Sequence, residues 1–291
     1  MSADERIERA RTLSQALPYL QRLAGATIVV KLGGSAIDVA GSESVLRDMV
    51  LLRTAGVRPV LVHGGGPAVT AWQGRLGLSS RFIDGLRVSD AETVELARMV
   101  LTGKVGPELV SAIHRLGGSA VGISGEDGPT LLVRPHPRDS ELGFVGEVDR
   151  VVPDTLLGLL DDGHIPVVAS IGLGPKGQAY NINADTVAAE LAVALPASRL
   201  VLLTDVEGLL GPSGELVSQV GARRAAAMIR DGTVSGGMIP KIVAALRALD
   251  GGATVHIIDG RVEHALLLEL LTDTGVGTML RADLEVSEEE L

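Results

Sequence analysis

Apolar residues fall into two patterns along this chain. Short uninterrupted runs occupy residues 26–31, 57–63, 164–171, 199–204 and 253–258. Runs of that length without alternation are typical of strands buried on both faces of a parallel sheet. Each stops at a glycine or an aspartate: Gly33-Gly34, Gly64-Gly65-Gly66-Pro67, Gly172, Asp205 and Asp259-Gly260. Between them, residues 43–55, 68–76, 90–101, 108–116, 186–195, 222–230 and 241–249 repeat apolar positions at three- and four-residue steps, the helical period. Strands and helices in alternation predict an α/β fold, with an open, mainly parallel sheet and helices on both faces. Residues 130–151 depart from the alternation and predict a hairpin flanking that sheet. Ahead of the first strand, Ile7, Ala10, Leu13, Leu17 and Leu20 form one apolar stripe along a helix. Pro18 removes a helical hydrogen bond there and predicts a kink.

Composition narrows the function more than the fold. With 291 residues, 46% hydrophobic and 21% charged, the chain is an ordinary globular one with room for a large core. Aromatics make up only 2% and the net charge is −10, which argues against nucleic-acid partners. There is no cysteine, so disulfides, thiolate nucleophiles and zinc–sulfur sites are excluded. No run approaches a membrane span and the start of the chain does not read as a signal peptide. A cytoplasmic protein without a membrane partner is expected.

In an open parallel sheet, ligands sit beyond the carboxyl ends of the strands, where helix N-termini present free N–H groups. Gly172, Gly174 and Gly177 match the spacing of a dinucleotide-binding loop, which leaves an NAD-dependent oxidoreductase as an alternative. Pro175 and the delayed start of the next helix argue against it. Lys31 at the end of a strand and Lys241 just behind Pro240 each stand beside a glycine turn, a pairing that suits phosphate chemistry. Taken singly, either lysine also reads as a solvated surface group.

Six motifs in fixed order carry a resemblance: Lys31-Leu32-Gly33-Gly34, His63-Gly64-Gly65-Gly66-Pro67, Gly85-Leu86-Arg87-Val88, Asn181-Ile182-Asn183-Ala184-Asp185, Thr204-Asp205-Val206-Glu207-Gly208-Leu209 and Gly236-Gly237-Met238-Ile239-Pro240-Lys241. In combination they resemble the amino acid kinase family, and within it the kinases of N-acetyl-L-glutamate. The resemblance covers about residues 12–281 and departs from the usual wording at Ser89, at Gly106 and in a short loop at 211–215.

It implies transfer of the ATP γ-phosphoryl group to a side-chain carboxylate, in the second step of arginine biosynthesis, with Mg²⁺ held mainly by the nucleotide. A related kinase of an aminoadipate-type substrate and a non-catalytic sensor are the alternatives. The acceptor carboxylate is ionised at neutral pH, so the chemistry calls for positioning and positive charge rather than a general base. By resemblance, Lys31 and Lys241 stabilise the phosphoryl group in flight and Asp185 holds them, although Asp185 also reads as a helix N-cap. Arg87 pairs with the substrate α-carboxylate, where its other reading is a surface ion pair. Gly65, Gly66 and Asn181 contact acetylglutamate. Gly33, Gly34, Asp205, Val206, Glu207, Gly208, Leu209, Leu210, Thr233, Val234 and Ser235 line the nucleotide pocket. No protein metal site is implied.

The resemblance also divides the chain into an oligomerisation helix at 1–23 and one kinase domain at 24–291. In that domain the acetylglutamate lobe spans about 24–180 and the ATP lobe about 181–291. The arginine-sensitive members join dimers into a hexamer through such a helix. His264, Glu269, Gly275 and Gly277 match their wording for a site that binds L-arginine as inhibitor. Without the resemblance, the helix equally folds back on its own domain.

Overall fold

Residues 27–32 come out as a central strand of an eight-stranded sheet in the computed structural model, which describes residues 2–33 and 41–283. The first third of the chain runs α1 (Ala3–Leu23), β1 (Thr27–Leu32), α2 (Glu43–Thr54), β2 (Arg58–His63), α3 (Gly66–Arg75), a small hairpin β3 (Phe82–Ile83) and β4 (Leu86–Arg87), and α4 (Ala91–Val100). A π-helical turn, Leu101–Val105, joins α4 to α5 (Gly106–Arg115). Then come β5 (Ala120–Ser124), β6 (Leu131–Pro135), α6 (Asp139–Leu142), β7 (Gly146–Val151), α7 (Asp154–Asp161), β8 (Ile165–Ala169), β9 (Ile171–Leu173) and β10 (Ala179–Asn181). The last third is α8 (Ala184–Ala194), β11 (Arg199–Thr204), β12 (Gln219–Gly221), α9 (Ala222–Arg230), α10 (Met238–Asp250), β13 (Thr254–Asp259), α11 (Ala265–Leu270) and β14 (Thr278–Arg281).

The large sheet has the order β12-β14-β13-β11-β1-β2-β8-β5. Every pairing in it is parallel except β13 with β14. The α/β class expected from the apolar runs is thus present. All six residues of β1 are buried, as a central strand covered on both faces requires. Ile28 and Val30 point to one face, where they meet Leu46, Met49 and Ile113 of α2 and α5. Val29 points to the other, among Val187, Leu191, Ile242 and Ala245 of α8 and α10. Because the side-chain period of a strand is two, Lys31 shares the face of Val29.

The predicted hairpin is β6 with β7, antiparallel, inside a separate four-stranded sheet of order β10-β9-β6-β7. β9 and β10 also form an antiparallel hairpin, turned at Pro175–Gly177. Gly172, Gly174 and Gly177 therefore serve a strand-to-strand turn with a single 3-10 turn at its tip, and no α-helix starts there to receive a pyrophosphate. That removes the dinucleotide-loop alternative.

α1 includes Pro18 within a single helix and opens on a capping box: Glu5 N–H donates to Ser2 Oγ at 3.1 Å while Ser2 N–H donates to Glu5 Oε2 at 2.6 Å. Among the described residues, only its C-terminal end is anchored. Leu23 is buried with Leu20 packed beside it, and the Tyr19 hydroxyl donates to Asp273 Oδ1 at 2.5 Å. Ile7, Leu13 and Leu17 stand 57%, 70% and 53% exposed, so this part of the stripe does not fold back on its own domain.

Candidate active site

Lys31, Asp185 and Lys241 meet on the α8–α10 side of the sheet, at the carboxyl end of β1. Lys31 Nζ lies 2.8 Å from Asp185 Oδ1, and Lys241 Nζ donates to Asp185 Oδ2 at 2.9 Å. Lys31 reaches Asp185 across Gly33, whose hydrogen leaves the space that a Cβ would take from the lysine side chain. Asp185 is the second residue of α8 and not its cap. Asn183 fills that role, its Oδ1 accepting from the N–H groups of Asp185 at 2.8 Å and Thr186 at 3.4 Å. The Asp185 carboxylate is left free to hold both lysines.

Electrostatics sharpen this geometry. Burial opposes the charge of Asp185, but Lys31 and Lys241 outweigh it and hold the carboxyl below the usual carboxylate range. Burial also pulls the Lys31 ammonium below the ordinary lysine value, Asp185 opposes that, and Lys241 adds to it. Two ammonium groups on one carboxylate leave a net positive charge, which suits an anion.

Next to this cluster is a cavity lined by Gly64, Gly65, Gly66, Arg87, Asn181 and Ala184, among others. It joins three of the predicted segments: the loop after β2, strand β4 and the entry to α8. A Cβ on Gly65 would overlap the side chain of Leu101, so glycine lets this loop lie against the π-helical turn without displacing that leucine. Val69, Ala97, Leu101 and Val145 make one wall of the cavity apolar.

Arg87 is buried and, among the described residues, has no acidic partner. Its Nη1 donates to Gln73 Oε1 at 2.5 Å and Ser80 Oγ at 3.2 Å, and its Nη2 to Gly66 O at 2.9 Å and Thr70 Oγ1 at 2.8 Å. The Phe82 ring lies beneath the guanidinium, 4.6 Å from centroid to Cζ. The surface ion-pair reading of Arg87 is therefore excluded. Asn181 Nδ2 donates to Ser89 Oγ at 3.2 Å, which fixes the orientation of its amide. The sequence did not single out Gln73, Thr70 or Ser80. They are neutral, and no motif marks them.

His63 closes the floor of the loop after β2. Its Nδ1 bonds to Gly64 O at 2.9 Å, and its buried Nε2 has no partner among the described residues. Burial pushes its pKa down to about 4, the Gly64 carbonyl opposing this, so the ring is neutral at physiological pH.

The expected nucleotide segments follow β11 and precede α10, outside this cavity. Leu209 N–H donates to Thr278 Oγ1 at 2.8 Å and Val234 N–H to Met228 O at 2.8 Å, while Val206 and Leu210 are exposed. Gly34 lies outside the described residues. His264 Nδ1 bonds to the buried Asp48 at 2.6 Å. Glu269 bonds to His256 Nδ1 at 2.7 Å and accepts from Val276 N–H at 2.7 Å, between Gly275 and Gly277. These are two separate networks.

A model of the amino acid kinase family matches residues 26–259, and the chain belongs to that family. It is an enzyme, a kinase. Its curated relatives include the acetylglutamate kinase of Moorella thermoacetica, 49% identical over 94% of this chain and 97% of that one. That of Acaryochloris marina is 50% identical over 94% of this chain and 98% of the relative. Among solved structures, the N-acetylglutamate synthase of Neisseria gonorrhoeae, complexed with coenzyme A and N-acetyl-glutamate, superposes with a TM-score of 0.85 at 26% identity. The match covers 96% of this chain and 64% of that one. Carbamate kinase from Giardia shares the fold at a TM-score of 0.67 and 17% identity, covering 89% of this chain and all of that one. Among the described residues no helix is long and apolar enough to cross a membrane.

Proposed function

We propose that this chain transfers the γ-phosphoryl group of ATP to the side-chain carboxylate of N-acetyl-L-glutamate, giving N-acetylglutamyl 5-phosphate in the second step of arginine biosynthesis. The observation that carries this reading is the largely buried Lys31–Asp185–Lys241 cluster beside a cavity that holds an arginine without a counter-charge among the described residues. A carboxylate oxygen attacks the γ-phosphorus, the bond to the β,γ-bridging oxygen breaks, and ADP leaves with the electron pair. Both reactants are anions, so the barrier is repulsion, and Lys31 and Lys241 act by neutralising the phosphoryl oxygens. Asp185 holds the lysines apart and charged. Arg87 receives the α-carboxylate, and Asn181, Gly65 and Gly66 receive the acetamido end. Residues 205–210 and 233–235 cover the nucleotide.

Among the described residues no three His, Asp or Glu side chains converge. The one carboxylate at the centre is already shared by two ammonium groups, so this donor set does not suit a protein-held divalent cation. We place Mg²⁺ on the ATP phosphates. Lobes at about 24–180 and 181–291 then divide acetylglutamate from nucleotide, and a cytoplasmic location fits the substrates.

Trapping the acyl phosphate with hydroxylamine, in the presence of ATP, Mg²⁺ and N-acetylglutamate, tests the reading. Hydroxamate is expected with acetylglutamate and not with aspartate or glutamate. A preference for aminoadipate would replace the substrate, and no hydroxamate with any acceptor would refute the activity.

Regulation belongs to the same proposal. The exposed stripe of Ile7, Leu13 and Leu17 supports pairing of α1 with α1 of another copy, which would link dimers into a hexamer. L-arginine would bind between α1 and the segment carrying His264, Glu269, Gly275 and Gly277. The Tyr19–Asp273 bond already ties those regions together.

A further inference from the structure

Arg87 owes its setting largely to one residue outside every motif. Gln73 is fully buried in α3, and its Oε1 accepts from both Arg87 Nη1 and Ser80 Oγ at 2.5 Å. Its Nε2 donates to Thr93 Oγ1 at 3.3 Å. The amide is thus directed: oxygen toward the guanidinium, nitrogen away from it. The remaining acceptors of Arg87 are a carbonyl and two hydroxyls, all neutral. Four hydrogen bonds orient the guanidinium and none neutralises it.

A buried guanidinium is most often found against a carboxylate. A glutamate here would have nearly the shape of Gln73 and would supply one. An incoming carboxylate would then meet a neutral ion pair and a second negative charge. A leucine would fill the same space but leave Nη1 short of an acceptor, since a guanidinium N–H out of reach of water needs one. Only a neutral acceptor both aims Arg87 and keeps its charge available.

We propose that Gln73 is the positioning residue that sets how strongly this site takes the carboxylate of its acceptor substrate, by orienting Arg87 without pairing its charge. This rests on the assignment of Arg87 to the substrate α-carboxylate. The role is electrostatic, so it acts on acceptor binding and leaves phosphoryl transfer alone.

The test is steady-state kinetics of wild type, Gln73→Glu and Gln73→Leu, varying N-acetylglutamate and ATP separately, with thermal melts as a check on folding. Wild-type hydroxamate formation comes first: its failure would remove the activity, whereas the variants judge Gln73 alone. The expected result for Gln73→Glu is a rise in acetylglutamate KM of roughly 30-fold, with kcat within about threefold and the ATP KM unchanged. Gln73→Leu should raise the same KM by about fivefold, and it decides the matter alone if the charged variant does not fold. An acetylglutamate KM within about twofold of wild type in the folded variants would overturn the proposal. So would equal losses in kcat and in both KM values, the mark of a merely structural role.

Discussion

His63 gives a stability prediction whose size follows from its surroundings. The unfolded ring titrates near 6.5, and burial pushes the folded one down to about 4. A base with a lowered folded value is protonated first in the unfolded chain, so stability falls as pH drops from about 6.5 toward 4. Between pH 7 and pH 5 that linkage amounts to about 2 kcal/mol. Replacing His63 with Asn, whose amide N–H can still donate to Gly64 O, removes the titration and keeps the local bond. Other titrating groups, including the Asp48–His264 and Glu269–His256 pairs, are present in both proteins and cancel in the comparison. Urea unfolding followed by fluorescence of the single tryptophan, Trp72, at the two pH values supplies the measurement. Wild type should lose about 2 kcal/mol more than His63→Asn on acidification. Equal losses would show that water reaches the ring or that Nε2 has a partner, and the reasoning would fail.

Other outcomes follow from the site. Lys31→Ala or Lys241→Ala should lower kcat by roughly 10²–10³, as the loss of a preorganised transition-state donor does, with a smaller change in acetylglutamate KM; near-wild-type turnover would sink the assignment. Arg87→Lys should raise acetylglutamate KM more than it lowers kcat, because an ammonium cannot offer the planar fork; initial-rate kinetics distinguish the two. Because burial lowers the Lys31 pKa, kcat/KM should decline on its alkaline side below the 10.5 of a free lysine. A profile flat to that pH would count against it. Removing residues 1–23 should reduce a hexamer to dimers and weaken arginine inhibition while sparing turnover. Sedimentation and an arginine titration read this directly, and a full-length dimer indifferent to millimolar arginine would refute it.

The apolar runs located the central strands because a strand covered on both faces has no room for polar alternation, as β1 and β11 illustrate. β5 went unread. Its sequence, Ala120-Val-Gly-Ile-Ser124, lies at the sheet edge, with one side unpaired and Gly122 exposed, so burial imposes little pattern on it. At the site, the charged residues Lys31, Asp185, Lys241 and Arg87 were legible through motifs. Their relation came through the resemblance alone, since Lys31 and Lys241 meet through strand and helix packing that local pattern does not encode. Reading Asp185 as a cap was reasonable chemistry two residues out of register: Asn183 offers the same kind of acceptor. Gln73 was invisible because a buried glutamine on a helix departs from the apolar pattern in the same way as a surface one does.

The π-helical turn at Leu101–Val105 explains why α4 and α5 read as two helices when the chain is helical throughout. Ahead of it Val94, Ala97 and Leu101 keep one phase, while beyond it Leu109, Ala112 and Ile113 fall one position late. A wide turn absorbs one extra residue, so both halves present their apolar sides inward although the spacing slips. Tolerance to length changes is therefore uneven along this rod. Losing a residue such as Gly103 would tighten the wide turn to ordinary pitch and leave both halves seated. Losing one elsewhere in α4 or α5 would swing a whole face by about 100°, turning Leu96 or Ile113 toward water. The wide turn is thus the place where shortening does least harm, and it lies against Gly65, at the wall of the cavity.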